Sequence, residues 1–254
     1  MEGEQVPGES SRRFENKVVL VTGSSSGIGE AIARSFDAEG ARVVVNSAHS
    51  VEAGQAIATS LHDGIYFQAD IADEAASTML IAETLEHFGR LDVLVNNAGR
   101  TKVIAHQDLE NASLEVWRDI FDVNVFGTWA LTVAAADALR QQQGSVVNIT
   151  SIAGLRPTGS SIPYAASKAA LNHMTVLLAK VLGPEIRVNA VAPGLVDTPW
   201  TQDWGVVRQF VQSAAPMKRS ATPEDVAQMT LALTENSYIT GQVITVDGGL
   251  TLTT

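Results

Sequence analysis

The sequence predicts an α/β fold: one domain built as a doubly wound, parallel, seven-stranded sheet with helices on both faces. Three observations carry this. Short apolar runs rich in β-branched residues alternate with longer segments of helical periodicity along nearly the whole chain. The apolar runs are continuous, as strands buried on both faces require, and right-handed crossovers then place helices on each side of the sheet. A Gly-rich turn follows the first apolar run directly.

The elements follow in order. Residues 1–16 are polar and without periodicity, which predicts a mobile leader ahead of a domain over 17–254. Residues 18–21, Val-Val-Leu-Val, form the first strand. Residues 28–39 have helical spacing, with Ile28, Ile32, Ser35 and Phe36 on one face and Gly40 as the stop. A strand over 41–46, a helix over 51–61 and a strand over 65–69 come next. The helix over 73–88 is closed by Gly89, and a fourth strand covers 91–96. The rhythm continues with one long helix over 114–139, a strand over 144–150, a long helix over 163–182 and a strand over 186–191. An apolar segment over 195–219 precedes a further helix, and a seventh strand covers 243–246. No tandem repeat or low-complexity tract is visible.

Composition narrows the function. The 254 residues carry 28 acidic and 17 basic side chains, a net charge of −11, which disfavours nucleic acid and anionic membrane surfaces as partners. Zero cysteines exclude disulfides, thiolate metal sites and a cysteine nucleophile. The five histidines show no metal-ligand spacing, so no catalytic metal is expected. No apolar run approaches the ~18–20 residues of a membrane span. The start, Met1-Glu2-Gly3-Glu4, lacks the basic-then-apolar pattern of a secretion signal. A soluble cytoplasmic protein is expected.

The turn Thr22-Gly23-Ser24-Ser25-Ser26-Gly27-Ile28-Gly29 lies between the first strand and the first helix. Glycines there permit positive φ and close backbone approach to a pyrophosphate on the helix N-terminus, and the serines add hydroxyl donors. Three residues, not one, separate Gly23 from Gly27. With this spacing the chain resembles the single-domain short-chain dehydrogenases/reductases, whose domain is of Rossmann type, over about residues 15 to 250. The resemblance recurs at Asn96-Asn97-Ala98-Gly99, Tyr164-Ala165-Ala166-Ser167-Lys168, Pro193-Gly194, Thr240-Gly241-Gln242 and Val246-Asp247-Gly248-Gly249. Within that family the last motif and the 43–46 segment are similar to those of 3-oxoacyl-carrier-protein reductases.

Tyr164 and Lys168 are four apart at the start of a helix and share a face. A phenol has a pKa near 10, and bringing it to neutrality takes about 4 kcal/mol of differential stabilisation. A nearby ammonium acts in that direction, so Tyr164 is expected to exchange a proton with a carbonyl or alcohol oxygen. Ser151 stands at the end of the fifth strand, where open α/β sheets place their ligands. The resemblance implies that Ser151 orients the substrate oxygen. It also implies that Asn124 holds a water linking Lys168 to solvent, and that Lys168 grips the nicotinamide ribose.

The second strand ends Asn46-Ser47-Ala48-His49-Ser50, with no carboxylate before Glu52. An acidic residue there binds the ribose hydroxyl of NAD and would repel a 2′-phosphate. Donors such as Asn46, Ser47 and Ser50 favour NADP(H), with NAD(H) as the alternative. The resemblance assigns Gly23, Ser25, Ser26, Gly27, Ile28 and Gly29 to the dinucleotide, and Asp70 and Ile71 to the adenine. It gives Asn97, Ala98 and Gly99 to the ribose and diphosphate, and Pro193, Gly194 and Thr198 to the nicotinamide end. Trp200, Trp204, Val206, Val207 and Phe210 in 195–219 are expected to form a lid over an apolar substrate, with Leu155, Arg156 and Pro163 on the other wall. The expected reaction is hydride transfer between NADP(H) and a small-molecule ketone or secondary alcohol. The alternatives are an NAD(H)-dependent alcohol, polyol or steroid-type dehydrogenase and a non-catalytic dinucleotide sensor. Ser151 lacks the surroundings of a hydrolase nucleophile. The family pairs its two long helices across subunits, which implies a homotetramer, with a dimer as the alternative.

Overall fold

The computed structural model describes residues 12–253. Among them seven strands form one sheet: β1 (Val18–Val21), β2 (Arg42–Ser47), β3 (Gly64–Gln68), β4 (Val93–Asn96), β5 (Ser145–Ile149), β6 (Arg187–Pro193) and β7 (Val243–Val246). Their order is β3-β2-β1-β4-β5-β6-β7, and every neighbouring pair is parallel. The helices are α1 (Gly27–Ala38), α2 (Val51–Ser60), α3 (Glu74–Phe88), α4 (Leu114–Phe121), α5 (Thr128–Gln141), α6 (Ile162–Leu182), α7 (Gly205–Ala214) and α8 (Pro223–Glu235). No helix among the described residues is long and apolar enough to cross a membrane.

The continuous apolar strands feed two cores because successive side chains point to opposite faces. Val19 and Val21 of β1, Val43 and Val45 of β2, and Val93 and Val95 of β4 join one core, with Ile32 and Phe36 of α1 and Val226 and Leu231 of α8. Val18, Leu20, Val44 and Leu94 join the other, with Leu80 of α3, Leu131 of α5 and Leu178 of α6. Each such buried side chain contributes about 1.5–3 kcal/mol, so both faces of the sheet are fixed. The chain winds outward from β1 to β3 and then returns to lay β4 on the other side of β1. That reversal opens a crevice beyond the carboxyl ends of β1 and β4, and the site is built there.

Local signals set the helix ends. The Asp73 side chain accepts from the N–H groups of Ala75 and Ala76 to start α3, and Gly89 ends it at φ 72. Ser161 caps α6 by accepting from Tyr164 N–H, with Pro163 in the first turn. Thr222 and Asp225 form a capping box at the start of α8, the helix left without bounds in the sequence reading.

Two expectations are corrected. The helix expected over 114–139 is interrupted by a π-helical turn at Asp122–Gly127. There Gly127 lies so close to the Ile71 backbone that a Cβ would meet Ile71 O at 2.5 Å. The leader expected over 1–16 does not extend that far. Its residues 1–11 lie outside the described residues, but Phe14 is buried edge-on against Phe36 at 4.8 Å between ring centroids. Arg13 pairs with Glu39 at 2.6 Å and with Glu235 at 3.1 Å, beside α1 and α8.

At the amino ends of β1 and β4 the buried Asp92 carboxylate gathers the neighbouring chain. It accepts from Val18 N–H and Lys17 Nζ, both at 3.0 Å, and from Arg90 at 2.6 and 2.8 Å. Burial pushes its pKa up, but Arg90, the Val18 N–H and Lys17 outweigh that and hold it below the usual value. A depressed carboxylate pKa stabilises the fold above the unfolded-state value and loses that contribution as pH falls through the folded one. Asp92→Asn is therefore expected to cost about 2 kcal/mol between pH 5 and 8, with the gap to wild type narrowing below about pH 4. Thermal melts of both proteins across that range check it, and a gap independent of pH would contradict it.

Candidate active site

The turn after β1 is held open by hydrogen bonds to the loop after β4. Thr22 Oγ1 accepts from the N–H groups of Asn97 and Ala98, each at 3.0 Å. Asn97 Nδ2 donates to the carbonyls of Thr22 and Gly23 at 2.9 and 3.0 Å. Gly23 and Gly27 adopt φ of 61° and 58°, which glycine reaches without penalty. Ser25, Ser26, Gly27 and Ile28 line the cleft. Ser26 stands at the N-cap of α1 with no capping side-chain hydrogen bond, so its hydroxyl is not used by the helix and borders the cleft.

Two residues expected to serve a ligand in this turn lie behind it. A Cβ on Gly29 would collide with Gly23 O and Asn97 Nδ2, so Gly29 allows the close packing and does not line the cleft. Ser24 is fully buried. Its hydroxyl donates to Val21 O at 2.7 Å and accepts from Asn46 N–H at 3.0 Å, so it ties β1 to β2.

At the end of β2 the expected donor set changes. Asn46 and Ser47 border the cleft but are buried. Asn46 Nδ2 directs both hydrogens to the end of β3 and the residue after it, to Phe67 O and Ala69 O at 3.1 Å each. Ser47 Oγ is hydrogen-bonded to the Tyr66 hydroxyl at 2.9 Å. The more open groups here are Ala48, His49 and Ser50. Arg42 points away, to Asp63 at 3.4 Å. Asp70, Ile71, Ala98 and Gly99 complete this half of the cleft.

The other half gathers the hydroxyls. Ser151 follows β5, and its Oγ accepts from Ala153 N–H at 3.1 Å. The Tyr164 and Ser151 side chains border the same stretch of the cleft, with the Ser151 hydroxyl close enough to act on the phenol. Lys168 Nζ, one turn further along α6, donates to Ile149 O at 2.9 Å and sits 5.8 Å from the Tyr164 ring centroid. The cleft they share with the glycine turn has a volume of about 1090 Å³. Burial pushes the Tyr164 phenol above its ordinary pKa, and the neighbouring Ser151 hydroxyl only partly offsets that. This corrects the expectation of a phenol lowered by Lys168. Burial also lowers the Lys168 ammonium to about 8.

Asn124, in the π-helical turn, is fully buried and does not line the cleft. Its Oδ1 accepts from Arg100 N–H at 2.7 Å, and its Nδ2 donates to Arg100 O at 3.0 Å and Ser167 Oγ at 2.9 Å. A Cβ on Gly99 would lie 3.4 Å from Asn124 Oδ1 and 3.7 Å from Lys168 Nζ, so both polar groups lie beside Gly99.

Pro193, Gly194 and Thr198 border the same end, and the 195–219 segment closes over it. Trp200, Trp204, Val206, Val207 and Phe210 all line the cleft. Arg208 holds the segment in shape through Asp197 at 2.8 Å and Thr201 O at 3.2 Å. The opposite wall is Pro157 to Ser160 and not Leu155, Arg156 or Pro163. Arg156 donates to Leu155 O on the surface, and Pro163 is buried in α6. Sequence reasoning missed the loop after β4, including Val103, Ile104 and His106, which also lines the cleft. That loop has no periodicity to mark it.

Residues 23–251 match the family model described as Enoyl-(Acyl carrier protein) reductase. The chain is 54% identical over 239 residues to ketoacyl reductase 2 of the granaticin polyketide synthase of Streptomyces violaceoruber, covering 92% of this chain and 96% of that protein. It is 37% identical over 250 residues to a 3-oxoacyl-acyl-carrier-protein reductase of Thermotoga maritima, covering 94% of this chain and all of that one. A solved short-chain dehydrogenase/reductase, a glucose/ribitol dehydrogenase of Brucella melitensis, superposes with a TM-score of 0.89 at 31% identity, over 94% of this chain and 98% of that one.

A buried ammonium with a depressed pKa binds fewer protons folded than unfolded between about pH 8 and the unfolded value. Stability therefore rises with pH across that window. Wild type is expected to gain up to about 3 kcal/mol on Lys168→Met from pH 7 to pH 10. Chemical denaturation of both proteins at several pH values measures this, and parallel profiles would contradict it.

Proposed function

The chain belongs to the short-chain dehydrogenase/reductase family, oxidoreductases of C=O and CH–OH groups, and we propose that it is an NADP(H)-dependent ketone reductase with Tyr164 as general acid. The observation that carries this reading is the gathering of Ser151, Tyr164 and Lys168 in one cleft with the glycine turn. The residues fit a dinucleotide. Gly23, Ser25, Ser26, Gly27 and Ile28 would take its diphosphate at the α1 N-terminus, with Asn97, Ala98 and Gly99 alongside. Asp70 and Ile71 would flank the adenine. Lys168 would hold the nicotinamide ribose, and Pro193, Gly194 and Thr198 the nicotinamide end. NADP(H) is preferred because no carboxylate precedes Glu52 after β2, and Ser50 and His49 remain open donors.

Bound there, the reduced cofactor supplies a hydride. Ser151 holds the substrate oxygen against Tyr164, whose half-buried phenol is held above its ordinary pKa and is therefore protonated and ready to donate. Lys168, cationic below about pH 8, favours the phenolate left behind. Asn124 acts through its neighbours, fixing the backbone of Arg100 and the start of α6. The 195–219 segment excludes water over the reacting carbon.

The names of the ketoacyl reductases among the relatives support a ketone on an acyl or polyketide-derived body over a sugar or polyol. Exposed Phe126, Trp129 and Val133 near the start of α5 and Val176, Leu177 and Val181 on α6 offer apolar surface to further copies. This supports a homotetramer, with a dimer as the alternative. A cytoplasmic location belongs to the same reading, since nicotinamide pools and acyl substrates meet there.

Tyr164→Phe is expected to keep NADPH binding and to lower turnover of a reducible ketone at least ~100-fold. Steady-state NADPH oxidation measures it. Turnover near the wild-type level would overturn the assignment of Tyr164.

A further inference from the structure

Tyr164 sits in a closed circuit of hydrogen bonds that reaches beyond the reacting groups. Its N–H donates to Ser161 Oγ at 3.4 Å, and its carbonyl accepts from Ser167 Oγ at 2.7 Å. Ser167 Oγ accepts in turn from Asn124 Nδ2 at 2.9 Å, and Asn124 grips both the N–H and the carbonyl of Arg100. From Arg100 the chain passes to Thr101, whose hydroxyl lies 2.5 Å from that of Ser160. Ser160 leads directly into Ser161, and the circuit closes there. The Ser160 carbonyl also accepts from Ile104 N–H at 2.8 Å, so the loop after β4 meets the segment before α6 at one residue.

That residue stands next to both reacting hydroxyl bearers. Gly159, just before it, has φ 117° and is wedged between them: a Cβ there would meet Ala153 Cβ at 2.8 Å and Tyr164 Cδ1 at 3.6 Å. Ala153 belongs to the turn that Ser151 begins, and its N–H donates to Ser151 Oγ. Tyr164 also packs against the cluster of Ile104, Val116 and Ile120. Ser160 is only 9% exposed, so water competes little for its hydroxyl and the bond to Thr101 is correspondingly strong. Any shift of Ser160 is therefore passed to Gly159 on one side and to the first turn of α6 on the other.

We propose that the Thr101 and Ser160 hydroxyls form a clasp that sets the placement of Tyr164 against Ser151. Both are positioning residues that act through Tyr164. The effect on turnover rests on the ketone-reductase reading, whereas the hold on the start of α6 does not. Proton transfer to a substrate oxygen needs the phenol within hydrogen-bond reach, and a displacement of about 1 Å at a reacting group can cost up to about 100-fold in rate. Cofactor affinity is spared, because the glycine turn is fixed by its own bonds to Thr22 and Asn97.

The test compares wild type with Thr101→Val, Thr101→Ser, Ser160→Ala and the Thr101→Val/Ser160→Ala double variant. Amide hydrogen exchange of the full chains, read by mass spectrometry, should be at least about fivefold faster in Thr101→Val both at Ile104 and in the first turn of α6. Reduction of ethyl acetoacetate with NADPH should fall about tenfold in kcat in Thr101→Val and in Ser160→Ala, while the Kd for NADPH stays within about twofold. The double variant should lose no more than either single one, because the same contact is removed in all three. Thr101→Ser, which keeps the hydroxyl, should retain most of kcat. Faster exchange confined to the loop after β4, additive losses, unchanged kcat in the single variants, or a parallel loss of NADPH binding would each overturn the proposal. Where wild type reduces no ketone, the reductase reading falls, while faster exchange in α6 still sustains the clasp and unchanged exchange there overturns it.

Discussion

Everything at the cleft depends on the hydrogen bonds that join the loop after β1 to the loop after β4. The order of winding reverses between these two parallel strands, so the segments that leave their carboxyl ends part and leave backbone groups without sheet partners. Thr22 Oγ1 and Asn97 Nδ2 satisfy those groups reciprocally and fix the glycine turn as an open cradle. Because Gly29 packs against both Gly23 O and Asn97, the start of α1 is locked to the same assembly. A helix N-terminus positioned in this way needs no induced rearrangement to meet an anion.

A second constraint sets the reacting end. Asn96 of β4 donates to Thr132 of α5 and to Asn148 of β5, and Asn148 donates in turn to Thr175 of α6. All four are buried, so the network joins two strands to two helices in low dielectric, where it is strong and intolerant of displacement. It lies beneath the strand ends that carry Ser151 and one face of the helix that carries Tyr164 and Lys168. The ammonium donates to Ile149 O, but burial outweighs that contact and lowers its pKa to about 8. The site thus holds a protonated phenol and a weakened cation side by side.

The parallel sheet was legible in the sequence because continuous Val and Leu runs have one physical meaning when helices separate them. The end of α3, the start of α6 and the glycine turn were legible for the same reason, since Gly89, Pro163 and Gly23 each answer a specific backbone demand. The catalytic candidates Ser151, Tyr164 and Lys168 come together as their positions implied. Less legible was which polar side chains face inward to the protein. Asn46, Ser47 and Ser24 look like ligand donors in sequence, yet each is engaged by neighbouring strands that only the fold brings close, and Asn124 is engaged in the same way by Arg100. The π-helical turn and the packing of Phe14 likewise arise from tertiary contact, and His106 carries no local signal at all.

The most direct test of the account is an equilibrium fluorescence titration of the purified wild-type protein with NADPH and with NADH. A dinucleotide cradle without a carboxylate after β2 predicts that NADPH binds at least about tenfold more tightly than NADH. Tighter binding of NADH, or binding of neither, would contradict it.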